Sequence, residues 1–126
     1  MNDDIRARLE RFQNERLRQN ARILDAGHRG INRFFNLDDA AYHDGALDAR
    51  TKELLGLVAS LVLRCDDCVD YHLIQCAKLG LTEEELVEAL NVGLVVGGSI
   101  VIPHLRHAFD TIDVLLANAS PAGTDL

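Results

Sequence analysis

Two cysteines three residues apart, Cys65 and Cys68, are followed four residues later by a histidine, His72. On an α-helix those spacings stack the three side chains along one stripe. The chemistry on offer is a dithiol beside a base: one thiolate attacks, its neighbour closes a disulfide, and the imidazole takes or relays the proton. Cys65 would stand in the first turn of its helix, where free N–H groups and the macrodipole favour negative charge, so the helix-end argument favours Cys65 as the thiolate. Asp66 and Asp67 oppose this by placing carboxylates next to the sulfurs.

With Cys76 included, the stretch reads C-x2-C-x3-H-x3-C, and a metal has to be weighed. Cys65 and Cys76 are eleven residues apart. That is about 16 Å along a helix rising ~1.5 Å per residue, whereas zinc bonds measure about 2–2.3 Å. One ion cannot collect all four ligands. Cys65 and Cys68 with a remote histidine, His104 or His107, stay open as the smaller alternative; the expectation is no metal and no bound cofactor. Cys76 reads as a small core residue without a role in the chemistry.

These residues need rigid elements to hold them, and the chain supplies helices. Asp48 can cap a helix from Ala49 to about Arg64, whose buried side carries Leu54, Leu57, Val58, Leu61 and Val62. Glu53 is the charged exception, one position before that apolar face. The cysteine helix starts at Cys65 or Asp66 and ends at Leu79, with Gly80 as the left-handed terminator. Thr82 and Glu85 form a capping box for a helix to about Val96. Gly97-Gly98 then break the pattern, Ser99 is a candidate cap, and a final helix with Pro103 near its start carries a seam of Ile102, Leu105, Phe109, Ile112 and Leu116.

Upstream, Asp3 to about Asp25 favours a helix whose apolar stripe, Ile5, Leu9 and Phe12, is interrupted at Arg16, so only part of its length buries within its own subunit. Gly27 and Gly30 end it. Ile31 to Phe35 reads as either a short helix or a core-plugging turn, and Asn36 to Asp39 caps another short helix that Gly45 stops. No strand pattern or repeat competes, so the fold class is all-α. The expected organisation is an N-terminal helical arm over 1–30, a helical core over 31–119 and a frayed tail over 120–126.

The totals bound the function. The 126 residues suit one domain, and 48% hydrophobic with 26% charged residues is a globular composition. No apolar run is long enough to span a bilayer, and the charged N-terminus lacks the apolar stretch of a secretory signal, so a cytoplasmic protein is expected. The net charge of −7 argues against nucleic acid as a partner. Charge is uneven: residues 1–34 hold eight arginines against five acids, which reads either as a basic arm attracted to an acidic body across subunits or as a solvated helix whose charges alternate. In a reducing compartment a CxxC pair points to redox work or metal rather than to a structural staple.

The runs Ala46 to Leu55, Cys65-x-x-Cys68-x-x-x-His72 and Ala77 to Leu86 resemble the alkylhydroperoxidase D-like branch of the carboxymuconolactone decarboxylase superfamily over about residues 31–115. That branch carries a glutamate twelve residues before the first cysteine, the spacing of Glu53 to Cys65 here. The resemblance implies an all-helical bundle that assembles as a homo-trimer or homo-hexamer. It implies reduction of a small-molecule peroxide, or of a partner peroxiredoxin's disulfide, with electrons from a dihydrolipoyl or other dithiol donor. Carried over residue by residue, Cys68 is the thiol activated by the relay, Cys65 its disulfide partner, and Glu53 and His72 the acid and base. The family pattern has a second histidine just before the second cysteine; here it is Asp67, which leaves the relay one base short. The rival readings are a lactone decarboxylase, a lyase that generally lacks the cysteine pair, and a non-catalytic oligomer whose CxxC senses redox state. Without the resemblance, Glu53 reads as a first-turn acid and His72 as a hydrogen-bonded core histidine, while His28, His43, His104 and His107 read as structural or exposed.

Overall fold

The computed structural model describes residues 2–117. They form six α-helices: α1 (Asn2–Asp25), α2 (Arg29–Ala41), α3 (Ala49–Val62), α4 (Asp66–Lys78), α5 (Glu83–Gly97) and α6 (Ile102–Leu115), with a 3-10 turn over Ser99–Val101. The tail expected at 120–126 lies outside the described residues. Among the described residues no helix is long and apolar enough to cross a membrane.

The caps at Asp48 and Thr82 do what their chemistry predicts. Asp48 Oδ1 accepts from the Thr51 N–H at 2.8 Å, and the Thr82/Glu85 box is closed in both directions. Gly80, at φ 81°, ends α4 in the left-handed region. The α3–α4 corner is tighter. Arg64 sits at φ 61°, where glycine is the usual occupant, and the Cys65 N–H bonds the Ser60 carbonyl at 3.1 Å. One helix therefore hands over to the next with no spare loop, and Cys65 is itself the N-cap residue of α4.

Helices α3 to α6 enclose the core: Leu57 and Leu61 from α3, Val69 and Leu73 from α4, Leu86 and Leu90 from α5, and Ala108 and Ile112 from α6. Helix α1 joins by a separate small cluster in which Ile5 and Leu9 pack on Val114. Full burial of such side chains is worth about 1.5–3 kcal/mol each, so this contact fastens only the first turns of a 24-residue helix.

Three local expectations change. Residues 29–41 form one continuous helix instead of a short helix or turn followed by a second short helix: His28 caps it through its ring, with Nδ1 accepting from the Ile31 N–H, and Gly30 lies within its first turn. None of its side chains is buried, and Phe34 and Leu37 stand exposed. Ser99 makes no side-chain cap, because a 3-10 turn leads directly into α6. The buried seam of α6 runs through Ala108, Thr111, Ile112 and Val114, which leaves Phe109 at its edge, 38% exposed.

Candidate active site

Helix α4 brings the predicted residues together. Cys65 and Cys68 are joined as a disulfide with their Cα atoms 5.2 Å apart. The Cys68 N–H donates to Cys65 Sγ at 3.2 Å, so the N-cap sulfur takes one of the orphan donors of the helix end. Cys68 is exposed and Cys65 half-buried. Cys68 and His72, one turn apart, both line a cavity of about 490 Å³, a volume suited to a small molecule. Its other walls include Asp67 and Tyr71 from α4, Phe12 and Arg16 from α1, and Asp38 from α2.

Behind the cavity, His72 Nδ1 lies 2.7 Å from Glu53 Oε1, and both side chains are at least nine-tenths buried. A carboxylate at that distance accepts from Nδ1–H, which leaves Nε2 as the basic nitrogen. The ring is packed from several sides. Tyr71 meets it edge-on with centroids 5.2 Å apart, Tyr42 lies 5.4 Å away, and Gly56 on α3 backs it: a β-carbon there would sit 2.6 Å from Cε1. Burial pushes both tyrosine hydroxyls above their ordinary range, so they stay protonated at neutral pH. The Arg16 guanidinium stacks 4.2 Å over the Tyr71 ring, a cation–π contact that carries α1 onto the site.

Cys76 is fully buried, and desolvation pushes its thiol up to about 12, with the Glu53 charge adding to the effect. It presents no thiolate at neutral pH.

The opposite face of α4 holds a second cluster that sequence reasoning missed. His104 and His107, read there as structural or exposed without partners, turn toward Asp66 and Asp70. His104 Nδ1 lies 2.8 Å from Asp66 Oδ1, and His107 Nε2 lies 2.9 Å from Asp70 Oδ2. Asp70, 2% exposed, also accepts from Thr111 Oγ1 at 2.6 Å and from Arg8 Nη1 at 2.8 Å. Its hydrogen bond and charge hold the His107 imidazole above its ordinary pKa against the cost of burial. Two spacings signalled this cluster: carboxylates at i, i+4 on α4 and histidines at i, i+3 on α6 each mark a helix face. Gly56 left a signal too, since a glycine inside a helix often marks a close approach.

Fold and site together define an all-helical protein whose CxxC disulfide is backed by a buried histidine–carboxylate pair. The sequence pattern of the Carboxymuconolactone decarboxylase family matches residues 31–111, and the chain belongs to that family. It is 30% identical over 117 residues to an uncharacterised protein of Cupriavidus necator, covering 93% of this chain and all of the other. A crystal structure of TM1620 from Thermotoga maritima superposes with a TM-score of 0.84 at 53% identity, covering 86% of this chain and 95% of that one. A second, at TM-score 0.83 and 50% identity over 92% and 99% of the chains, is named as a family member with a possible part in the antioxidative response. The family protein apo-lpg0406 of Legionella pneumophila matches at TM-score 0.74 and 28% identity over 87% and 96%.

Proposed function

We propose that this protein is a thiol-dependent oxidoreductase that reduces peroxides, or the disulfide of a peroxiredoxin, through Cys65 and Cys68. The observation that carries the reading is the line Cys68–His72–Glu53. An exposed sulfur shares a cavity with an imidazole whose far nitrogen is held by a buried carboxylate.

His72 Nε2 takes the Cys68 proton, and Glu53 stabilises the resulting imidazolium and fixes its ring. The Cys68 thiolate attacks one peroxide oxygen, the O–O bond breaks, and the leaving alkoxide takes the proton back from His72. Cys68 is now a sulfenic acid. Cys65 attacks Cys68 Sγ, the hydroxyl leaves as water, and the disulfide seen here forms. A dithiol donor reopens it: one donor thiolate attacks Cys68 Sγ, Cys65 departs as thiolate, and the second donor thiol releases Cys68 while the donor closes its own disulfide. Cys65 suits the leaving role because the Cys68 N–H already points at its sulfur. Asp67, on the cavity wall, stands where the family pattern has a second histidine, so the imidazole of this relay is that of His72 alone.

The test is steady-state peroxide consumption with dihydrolipoamide as donor. The native chain is expected to turn over, Cys68→Ser to be inactive, Cys65→Ser to stop at a sulfenic acid that a dimedone probe captures, and His72→Gln to lose about 10²-fold or more. Equal rates for the native chain and the Cys65→Ser/Cys68→Ser double variant overturn the proposal. Stoichiometric disulfide formation without turnover favours a sensor instead, and lactone decarboxylation insensitive to thiol alkylation favours the lyase.

The same proposal extends to assembly as a homo-trimer or homo-hexamer. Leu55, Leu63, Val92 and Val96 stand exposed along an apolar groove between α3 and α5, a surface that supports self-association. Light scattering on the eluted protein reads the subunit count, and a monomer at micromolar concentration overturns this part.

A further inference from the structure

Arg8 Nη1, His107 Nε2 and Asp70 Oδ2 form a triangle with sides of 2.8, 2.9 and 2.9 Å. The three contacts cannot all be hydrogen bonds at once. If Nε2 carries a proton aimed at Asp70, it has no lone pair for Arg8. If it offers its lone pair to Arg8, it gives nothing to Asp70. Arg8 comes from α1, Asp70 from α4 and His107 from α6, so the choice is made where three helices meet. The other groups around the ring are Asp66, whose Oδ2 lies 3.9 Å from His107 Nδ1, and His104, which pairs with that carboxylate. Thr111 bonds both Asp70 and Arg8.

Arg8 matters because of what α1 carries further along. Phe12, Glu15, Arg16, Gln19 and Asn20 form the α1 wall of the cavity onto which Cys68 opens. Beyond Ile5 and Leu9, no residue of α1 is buried, so the Arg8 contacts and the Leu9 packing anchor one end of that wall and the half-buried Arg16 stacked on Tyr71 holds it further along.

We propose that Arg8 is a positioning residue that latches α1 over the Cys68 cavity, and that protonation of His107 loosens the latch, so that the cavity opens on acidification. With His107 neutral, Nε2 accepts from Arg8, and the guanidinium bridges His107, Asp70 and Thr111. With His107 protonated, the imidazolium takes Asp70 Oδ2 and repels the guanidinium beside it. Linkage demands the same outcome: the Arg8 charge opposes protonation of His107, so protonated His107 must weaken Arg8 docking by an equal factor. Meanwhile the α4–α6 contact tightens, because the imidazolium faces two carboxylates. The arm and the body of the molecule therefore respond to pH in opposite senses, which a purely structural ion pair would not produce.

Hydrogen exchange reads the two responses separately and needs no catalytic turnover, so it stands apart from the peroxidase proposal. Between about pH 8 and pH 5.5, with intrinsic exchange rates divided out, backbone protection over residues 9–20 is expected to fall about five- to tenfold while that of α4 and α6 rises. In His107→Gln the protection of α1 is expected to be flat across this range, and in Arg8→Lys, which cannot span Asp70 and Thr111 together, low throughout. On the reduced protein, the rate of Cys68 alkylation by a bulky maleimide divided by that for iodoacetamide cancels the thiolate fraction, and this ratio is expected to rise on acidification. Protection of α1 that holds or increases at the lower pH, a fall that persists in His107→Gln, or a flat alkylation ratio each overturns the proposal.

Discussion

The imidazole of His72 rests on the backbone of Gly56, close enough that a β-carbon there would lie 2.6 Å from Cε1 and 2.9 Å from Nδ1. No other residue type lets the ring lie where Glu53 can hold it. Gly56→Ala would favour helix α3 intrinsically by about 1 kcal/mol, yet overpacking costs typically about 1–3 kcal/mol. The expected result is a protein of similar or slightly lower stability whose His72 has left Glu53, with kcat/KM for peroxide down by at least about tenfold. Melting curves and turnover measured on the same sample separate the two effects.

Cys76 is expected to stay silent in the folded protein, since burial has pushed its thiol up to about 12. After reduction, iodoacetamide at neutral pH should label Cys65 and Cys68, with Cys76 reacting only on unfolding. Peptide mapping by mass spectrometry counts the labels.

Global stability should depend on His107 with a definite sign. The fold raises its pKa through Asp70, so the folded chain holds the proton to a higher pH than the unfolded chain does. The contribution is fully present below the unfolded value of about 6.5 and is lost as pH rises through the higher folded value. Urea midpoints collected on either side of that window should fall with rising pH in the native chain, and the step should vanish in His107→Gln.

Arg64 occupies the left-handed region at the α3–α4 corner. Glycine adopts that conformation without the clash a β-carbon brings, so Arg64→Gly is expected to stabilise the protein by about 0.5–1 kcal/mol. A higher urea midpoint at unchanged slope would register it.

Much of the scaffold was legible in local chemistry. Asp48, the Thr82/Glu85 box and Gly80 announce helix ends through side chains acting on their own backbone, and such signals survive whatever the tertiary fold. The α2 region was harder, because a histidine ring replaced the usual cap and Gly30 and Asn36 resembled breakers. Within the candidate site, Cys65, Cys68 and His72 share one helix, so spacing alone aligned them, and Glu53 came into view through the family pattern. The partners of Asp70 stayed hidden for a physical reason. Arg8, His107 and Thr111 reach it from two other helices, and the angles at which those helices pack are set by the whole core rather than by any local run of residues.

The abrupt α3–α4 corner also makes the interval between Glu53 and Cys65 a mechanical dimension. Each residue inserted into α3 between Glu53 and the corner would swing the carboxylate by about 100° and advance it ~1.5 Å, and a corner without slack has nowhere to absorb the change. Deletions would turn it the other way. An engineer who lengthens this helix must therefore add whole turns and relocate Gly56 with the glutamate, or the imidazole will face a stretch of helix with neither a cradle nor a carboxylate.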